Sequence, residues 1–265
     1  MDAYGVGRRT AGAAETRSAN RGWWDAEAVA YYAEHGDFLG DAELVWGPEG
    51  LTESDLGLLG PLTGRDVLEV GAGAAQGGRY AAAHGARVVS TDLSGGMLQQ
   101  AAAIDERSGT RLALTQCDAA ALPFADAVFD VVFTAYGAVP FTADSEAIMR
   151  EAARVLRARG RFVFSTTHPI RWAFPDSPGP DGLVADRSYF DRTPYVEQGD
   201  DGRATYVEHH RTLGDRIREI AGAGLRLVDL VEPEWPERNA SVWGGWSPTR
   251  GRIIPGTAIF VTQKP

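Results

Sequence analysis

The sequence predicts an α/β protein built on a doubly wound, mainly parallel sheet. Three observations carry that reading. Strand and helix signals alternate over residues 66–167, a glycine-rich turn follows the first strand of that run, and the alternation resumes over 213–263 after an irregular interval. In such sheets a ligand sits outside the carboxyl ends of the strands, at the switch point near the first strand.

The elements follow in order. Residues 1–19 are small and polar without periodicity, and are expected to be disordered. Over 23–35 the pattern is helical, with Trp24, Ala28, Tyr31 and Tyr32 on one face and Gly36 suited to its end. DVLEV (66–70) is a short apolar strand that runs into GAGAAQGG (71–78), and YAAAHG continues as helix. ARVVSTD (86–92) is a second strand, and SGGMLQQAAAIDE (94–106) a helix with Ser94 as its N-cap. Strands at 111–117 and 129–134, an amphipathic helix at 144–156 and a strand at 161–167 complete the first half. Residues 168–183 carry four prolines and cannot be regular; two short strands around GDDG (199–202) follow. A helix (213–224), a strand (225–232), a long loop (233–255) and a last strand (257–263) close the chain. A loop of that length inside a compact domain usually covers a binding site.

Composition narrows the function. The 265 residues carry 26 Lys and Arg against 36 Asp and Glu, a net charge of −10. Such an acidic chain lacks the footprint for sequence-independent binding to nucleic acid or anionic membrane. The longest charge-free run, Val131–Ala143, is 13 residues and holds Gly137 and Pro140; a spanning helix needs about 20 apolar residues. The N-terminus has no apolar leader, so the expected location is the cytoplasm. The single cysteine, Cys117, excludes an internal disulfide and a multi-cysteine metal site, and no metal is expected.

The strand-to-glycine junction reads Glu69-Val-Gly71-Ala-Gly73-Ala-Ala75. Glycines there let backbone N–H groups approach a ligand closely. Asp92 ends the second strand 21 residues after Gly71, where a carboxylate can accept from ribose hydroxyls. Asp118 ends the third strand and can accept from an adenine amino group. A nicotinamide-type G-x-G-x-x-G would need glycine at 76, which is Gln76.

EVGAG (69–73), STDLS (90–94), CDAAALPFADAVFDVV (117–132) and REAARVLRARGRFVFS (150–165) resemble, in order, the motifs of the class I S-adenosylmethionine-dependent methyltransferases. The resemblance is strong over about 65–167 and weaker over 213–263. It implies a Rossmann-like, seven-stranded sheet with a terminal antiparallel strand, and S-adenosyl-L-methionine as cofactor. Gly71 and Gly73 would pass closest to that cofactor, with Glu69 below them near its amino-acid end. Asp92 would bind the ribose diol, Leu93 and Met97 would flank the adenine, and Asp118 with the Ala119 backbone would read its edge. Thr134 to Tyr136 would face the methionine portion. The family's usual third glycine falls on Ala75. The implied organisation is a disordered 1–19, a helical cover over 20–60, a cofactor-binding core over 61–167, an inserted lid over 168–212, and the rest of the core over 213–265.

Methyl transfer needs a nucleophile held about 3 Å from the methyl carbon, with water excluded. His168 follows the strand at 161–167, and an imidazole with a pKa of about 6.5 suits proton abstraction; it is the candidate base, against a reading as a mere chain turn. Tyr32, Trp172, His209, Trp243 and Trp246 are the expected pocket for a small apolar or aromatic acceptor methylated at O, N or C. Arg171, Arg250 and Arg252 are available to an acidic acceptor. The alternative is a regulator that binds the cofactor, or a repurposed enzyme that transfers no methyl group. The acceptor's identity and the oligomeric state are not legible.

Overall fold

The computed structural model describes residues 5–265. In chain order the elements are β1 (Gly5–Arg8), α1 (Ala13–Leu39), α2 (Glu53–Leu56), β2 (Asp66–Val70), α3 (Gln76–Ala83), β3 (Arg87–Asp92), α4 (Gly95–Ser108), β4 (Ala113–Gln116), β5 (Phe129–Ala135), α5 (Ser145–Val155), β6 (Leu156–Thr167), β7 (Tyr195–Gln198), β8 (Ala204–Glu208), α6 (Leu213–Gly222), β9 (Arg226–Val231), α7 (Pro248–Gly251) and β10 (Thr257–Gln263). Short 3-10 turns at Pro169–Ala173 and Pro180–Leu183 break the stretch after β6.

The main sheet has seven strands in the order β4-β3-β2-β5-β6-β10-β9. The first five are parallel, and β10 lies antiparallel between β6 and β9. Alternate side chains of the central strands feed two cores. Leu68, Val132, Phe162, Phe164 and Phe260 pack with α5 and α6, while Val67, Val131, Phe133, Val163 and Ile259 pack with Trp46, Leu59 and Tyr80. Both faces are covered, which is why these strands read as continuous apolar runs. Local chemistry sets the helix starts: the Ser94 hydroxyl accepts from Met97 N–H, and Thr212 and Asp215 form a capping box.

The N-terminal segment corrects the expectation of disorder over 1–19; residues 1–4 lie outside the described residues. β1 pairs antiparallel with β7, and β7 with β8, in a small second sheet. The helix expected over 23–35 starts ten residues earlier, at Ala13. Its added turns bury Thr16 and Asn20, with only the small Ala19 as an apolar side chain beside them. Asn20 donates to the Phe141 and Val207 carbonyls and accepts from Val207 N–H, so every polar atom is satisfied in the interior. A helix anchored through amides leaves no apolar periodicity to read. Among the described residues no helix is long and apolar enough to cross a membrane, and no group of three or more His, Cys, Asp or Glu side chains is placed to hold a metal.

Candidate active site

The carboxyl edge of the parallel strands opens into a cavity of about 400 Å³. Its floor is the loop between β2 and α3. Gly71 there has φ +62°, and a Cβ on it would lie 2.6 Å from Ala138 N, so this loop and the 137–138 turn after β5 approach as only glycine permits. Gly73 has φ +55°, and a Cβ there would meet nothing within 4 Å. Ala75, at the third glycine position, still adopts φ +58°, a left-handed conformation that costs a non-glycine residue about 1 kcal/mol.

Two carboxylates shape this floor. Glu69 is buried on β2, and its Oε2 accepts from Gly78 N–H (2.9 Å) and the Ser90 hydroxyl (2.7 Å). Burial pushes its pKa up to about 7, against the pull of Ser90 and of the Arg79 guanidinium. Asp92 ends β3; its Oδ2 accepts from Gly73 N–H and its Oδ1 from Ser94 N–H, each at 2.8 Å. Burial raises the Asp92 carboxyl as well, opposed by those backbone donors. Each oxygen keeps a lone pair for a further donor.

Leu93, Met97, Asp118, Ala119 and Tyr136 all line the cavity with Glu69, Gly71, Gly73 and Asp92. Thr134 does not. It is fully buried in β5, one residue short of the edge, and its neighbours Ala135 and Tyr136 face the opening. Tyr136 is held by hydrogen bonds between its hydroxyl and the Gly256 carbonyl (3.1 Å) and the Thr257 hydroxyl (2.9 Å).

The roof is α1. Its Asp25 carboxylate accepts from the Ser94 hydroxyl (2.7 Å) and Gly96 N–H (2.9 Å), fastening α1 to the start of α4. Arg17 donates to Asp118 Oδ2 at 3.0 Å. Tyr32 lines the cavity, and its hydroxyl donates to Asp41, which Arg107 also engages at 2.9 Å. Trp24 packs on Tyr31 and Phe141, Phe141 on Tyr206, and Tyr31 on Trp243, with centroids 5.2 to 6.5 Å apart. Trp243 and Trp246 also line the cavity.

Besides Thr134, three expected residues are not in the cavity. The His168 ring is buried beside β6; its Nε2 lies 2.8 Å from Glu232 Oε1 and its Nδ1 accepts from Ile170 N–H. Both ring nitrogens thus have partners in the scaffold, the arrangement a chain turn requires. His209 Nε2 lies 3.0 Å from the Thr16 hydroxyl under α1, and burial lowers its pKa to about 4. Trp172 is buried between the Arg8 and Arg171 guanidinium groups, each 5.1 Å from its ring. The imprecision is one of phase: in a 3-10 turn, adjacent residues point to different sides, and Arg171 rather than Trp172 lines the cavity. Asn20, Phe141 and Asp176 were missed, and no local signal pointed to them.

The arrangement offers a glycine-rich turn and a strand-end carboxylate on one side, and an aromatic compartment on the other. Residues 68–164 match the family described as a methyltransferase domain. The demethylmenaquinone methyltransferase of Mycobacterium marinum is 43% identical over 218 residues, which is 78% of each chain. The chain belongs to the S-adenosylmethionine-dependent methyltransferases. Among solved methyltransferases, one from Mesorhizobium loti has a TM-score of 0.61 at 24% identity, covering 79% of this chain and 95% of its own. The Burkholderia thailandensis 1,6-didemethyltoxoflavin-N1-methyltransferase, solved with 1,6-didemethyltoxoflavin and S-adenosylhomocysteine, has a TM-score of 0.59 at 17% identity and covers 98% and 94%. At those identities the likeness is of fold. The first curated relatives, mycobacterial proteins 40% identical over 125 residues, are matched over 44% of their own length.

Proposed function

We propose that this chain transfers the methyl group of S-adenosylmethionine to O, N or C of a small, largely aromatic molecule. One observation carries the reading: the glycine turn with Asp92 and the aromatic compartment line one continuous cavity of about 400 Å³. That is the range of small-molecule sites, where apolar walls carry a few orienting polar groups. The net charge of −10 argues against a nucleic-acid acceptor.

The residues fit the cofactor. The space above Gly73 that a Cβ would fill is the cradle for its amino-acid portion, with Glu69 beneath and Gly71 alongside. Asp92 takes the ribose hydroxyls on its two remaining lone pairs. Leu93 and Met97 flank the adenine, Asp118 and Ala119 meet its edge, and Tyr136 faces the methionine portion. When bound, the cofactor supplies an electrophilic methyl carbon on a sulfonium. The chain contributes position and dryness: α1 excludes water, and Trp24, Tyr31 and Phe141 hold a flat acceptor against the opening of the glycine turn. Among the described residues the cavity lining contains no imidazole; its acceptor end offers the Glu208 and Asp176 carboxylates to a leaving proton.

Isothermal titration with S-adenosylhomocysteine and with NADH tests the cofactor, and S-adenosylhomocysteine formation with a panel of aromatic acceptors tests the transfer. Micromolar binding of the first ligand alone is expected. Binding of NADH alone would overturn the reading, and binding without turnover on any acceptor would favour a regulator.

A further inference from the structure

The aromatic compartment ends in a polar pole that the cofactor does not need. Arg171, Asp176, Tyr206 and Glu208 converge there on the same cavity. The Tyr206 hydroxyl donates to Glu208 Oε1 at 2.5 Å, and among the described residues Glu208 Oε2 has no hydrogen-bond donor. Arg171 lies 2.8 Å from Asp176, its one ion-pair partner among the described residues, so most of its five N–H donors remain unused. Burial works against its charge, but Glu208 and Asp176 outweigh that and hold its pKa above the usual value. Behind it the fully buried Arg250 approaches Asp176 at 3.9 Å.

The charges decide what this pole can hold. At the cavity Arg171 faces the two carboxylates, and the buried Arg250 behind them brings the pole to neutrality as a whole. A carboxylate on the acceptor would gain Arg171 but meet Glu208, and would compete with Asp176. An ammonium would gain Glu208 and meet Arg171. Either leaves a like-charged neighbour in a half-buried site, where the cost is high. A neutral group that accepts and donates side by side satisfies both partners.

We propose that the acceptor is a neutral, planar aromatic heterocycle with an adjacent C=O and N–H, a lactam edge, whose carbonyl accepts from Arg171 and whose N–H donates to Glu208. The ring plane lies against Trp24 and Phe141. This rests on the reading of the cavity as a small-acceptor site.

Three probes on one bicyclic frame test it by titration into the protein saturated with S-adenosylhomocysteine, read by calorimetry and tryptophan quenching. They are isoquinolin-1(2H)-one, 1-naphthoate and 1-naphthylmethylamine. The lactam is expected to bind at least tenfold more tightly than either charged probe. Glu208→Gln, which turns an amide N–H₂ toward the lactam N–H, should remove at least tenfold of that affinity, and Arg171→Lys a similar factor. The isosteric Glu208→Gln carries the test alone if the lysine variant fails to fold. Tightest binding of the naphthoate or of the amine overturns the proposal, as does lactam binding indifferent to Glu208→Gln, or no binding of any probe. Failure of S-adenosylhomocysteine to bind refutes the cofactor reading instead, and the same titrations without it then decide the lactam preference.

Discussion

Replacing Asp92 with Asn keeps the shape of the side chain and changes only its chemistry. In the native protein both oxygens accept backbone N–H groups at 2.8 Å, Oδ2 from Gly73 and Oδ1 from Ser94. Asn retains one acceptor and turns an N–H₂ toward the other donor, so one backbone N–H loses its partner and one ribose hydroxyl loses its acceptor. A hydrogen bond to a charged acceptor contributes about 1.5–3 kcal/mol, and an orphaned buried donor costs about 1–3 kcal/mol. The orphaned donor destabilises free and bound protein alike, so it appears in the unfolding curve. The lost ribose contact, with the remaining one weakened by loss of charge, should cost binding about 2–4 kcal/mol. At about 1.4 kcal/mol per factor of ten, that is roughly 30- to 1,000-fold in the S-adenosylhomocysteine dissociation constant. Calorimetric titration reads the affinity, and urea unfolding checks that the variant is folded. A folded Asp92→Asn protein that binds within threefold of wild type would refute the assignment of the ribose to this carboxylate.

Other consequences can be measured alongside. His209 has a native pKa of about 4 against about 6.5 unfolded, so its stabilising contribution is present above pH 6.5 and lost as the pH falls toward 4. The stability gap between wild type and His209→Gln should therefore shrink by about 2 kcal/mol from pH 7 to pH 5 in urea unfolding; a constant gap would contradict the burial argument. Gly71→Ala places a Cβ 2.6 Å from Ala138 N at a positive φ, and should cost at least about 2 kcal/mol of stability. Asp25→Ala removes both bonds that fasten α1 to the start of α4, and stopped-flow displacement should find S-adenosylhomocysteine leaving about tenfold faster; an unchanged rate would deny α1 the role of roof. His168→Gln should leave the pH profile of turnover unaltered, and loss of its acid limb would restore the imidazole as a base.

The fold was legible because its strongest signals are local. DVLEV before GAGAA, Asp92 at a strand end and the Ser94 cap each depend on a few neighbouring residues, and the sheet assembles them without changing their meaning. The acceptor end was less legible because its geometry depends on phase in irregular backbone. Arg171 and Trp172 are adjacent in a 3-10 turn, and nothing in their order says which faces the cavity. His168 and His209 illustrate a second cause: an imidazole at a strand end is equally suited to chemistry and to hydrogen-bonding its own scaffold, and only the positions of Glu232 and Thr16 decide. The extent of α1 was hidden for a third reason, since Thr16 and Asn20 anchor it through polar contacts.

Three of the fastenings of α1 have a kinetic meaning. Arg17 on Asp118 and Asp25 on the start of α4 sit at one end of the cavity, while Asn20 ties the same helix to β8 and to Phe141 at the other. One rigid rod thus closes two compartments, and it cannot lift from one without loosening its hold on the other. With cofactor and acceptor placed as proposed, their exchange is a single event: every turnover contains one common opening, and its frequency sets an upper bound on how fast either product can leave.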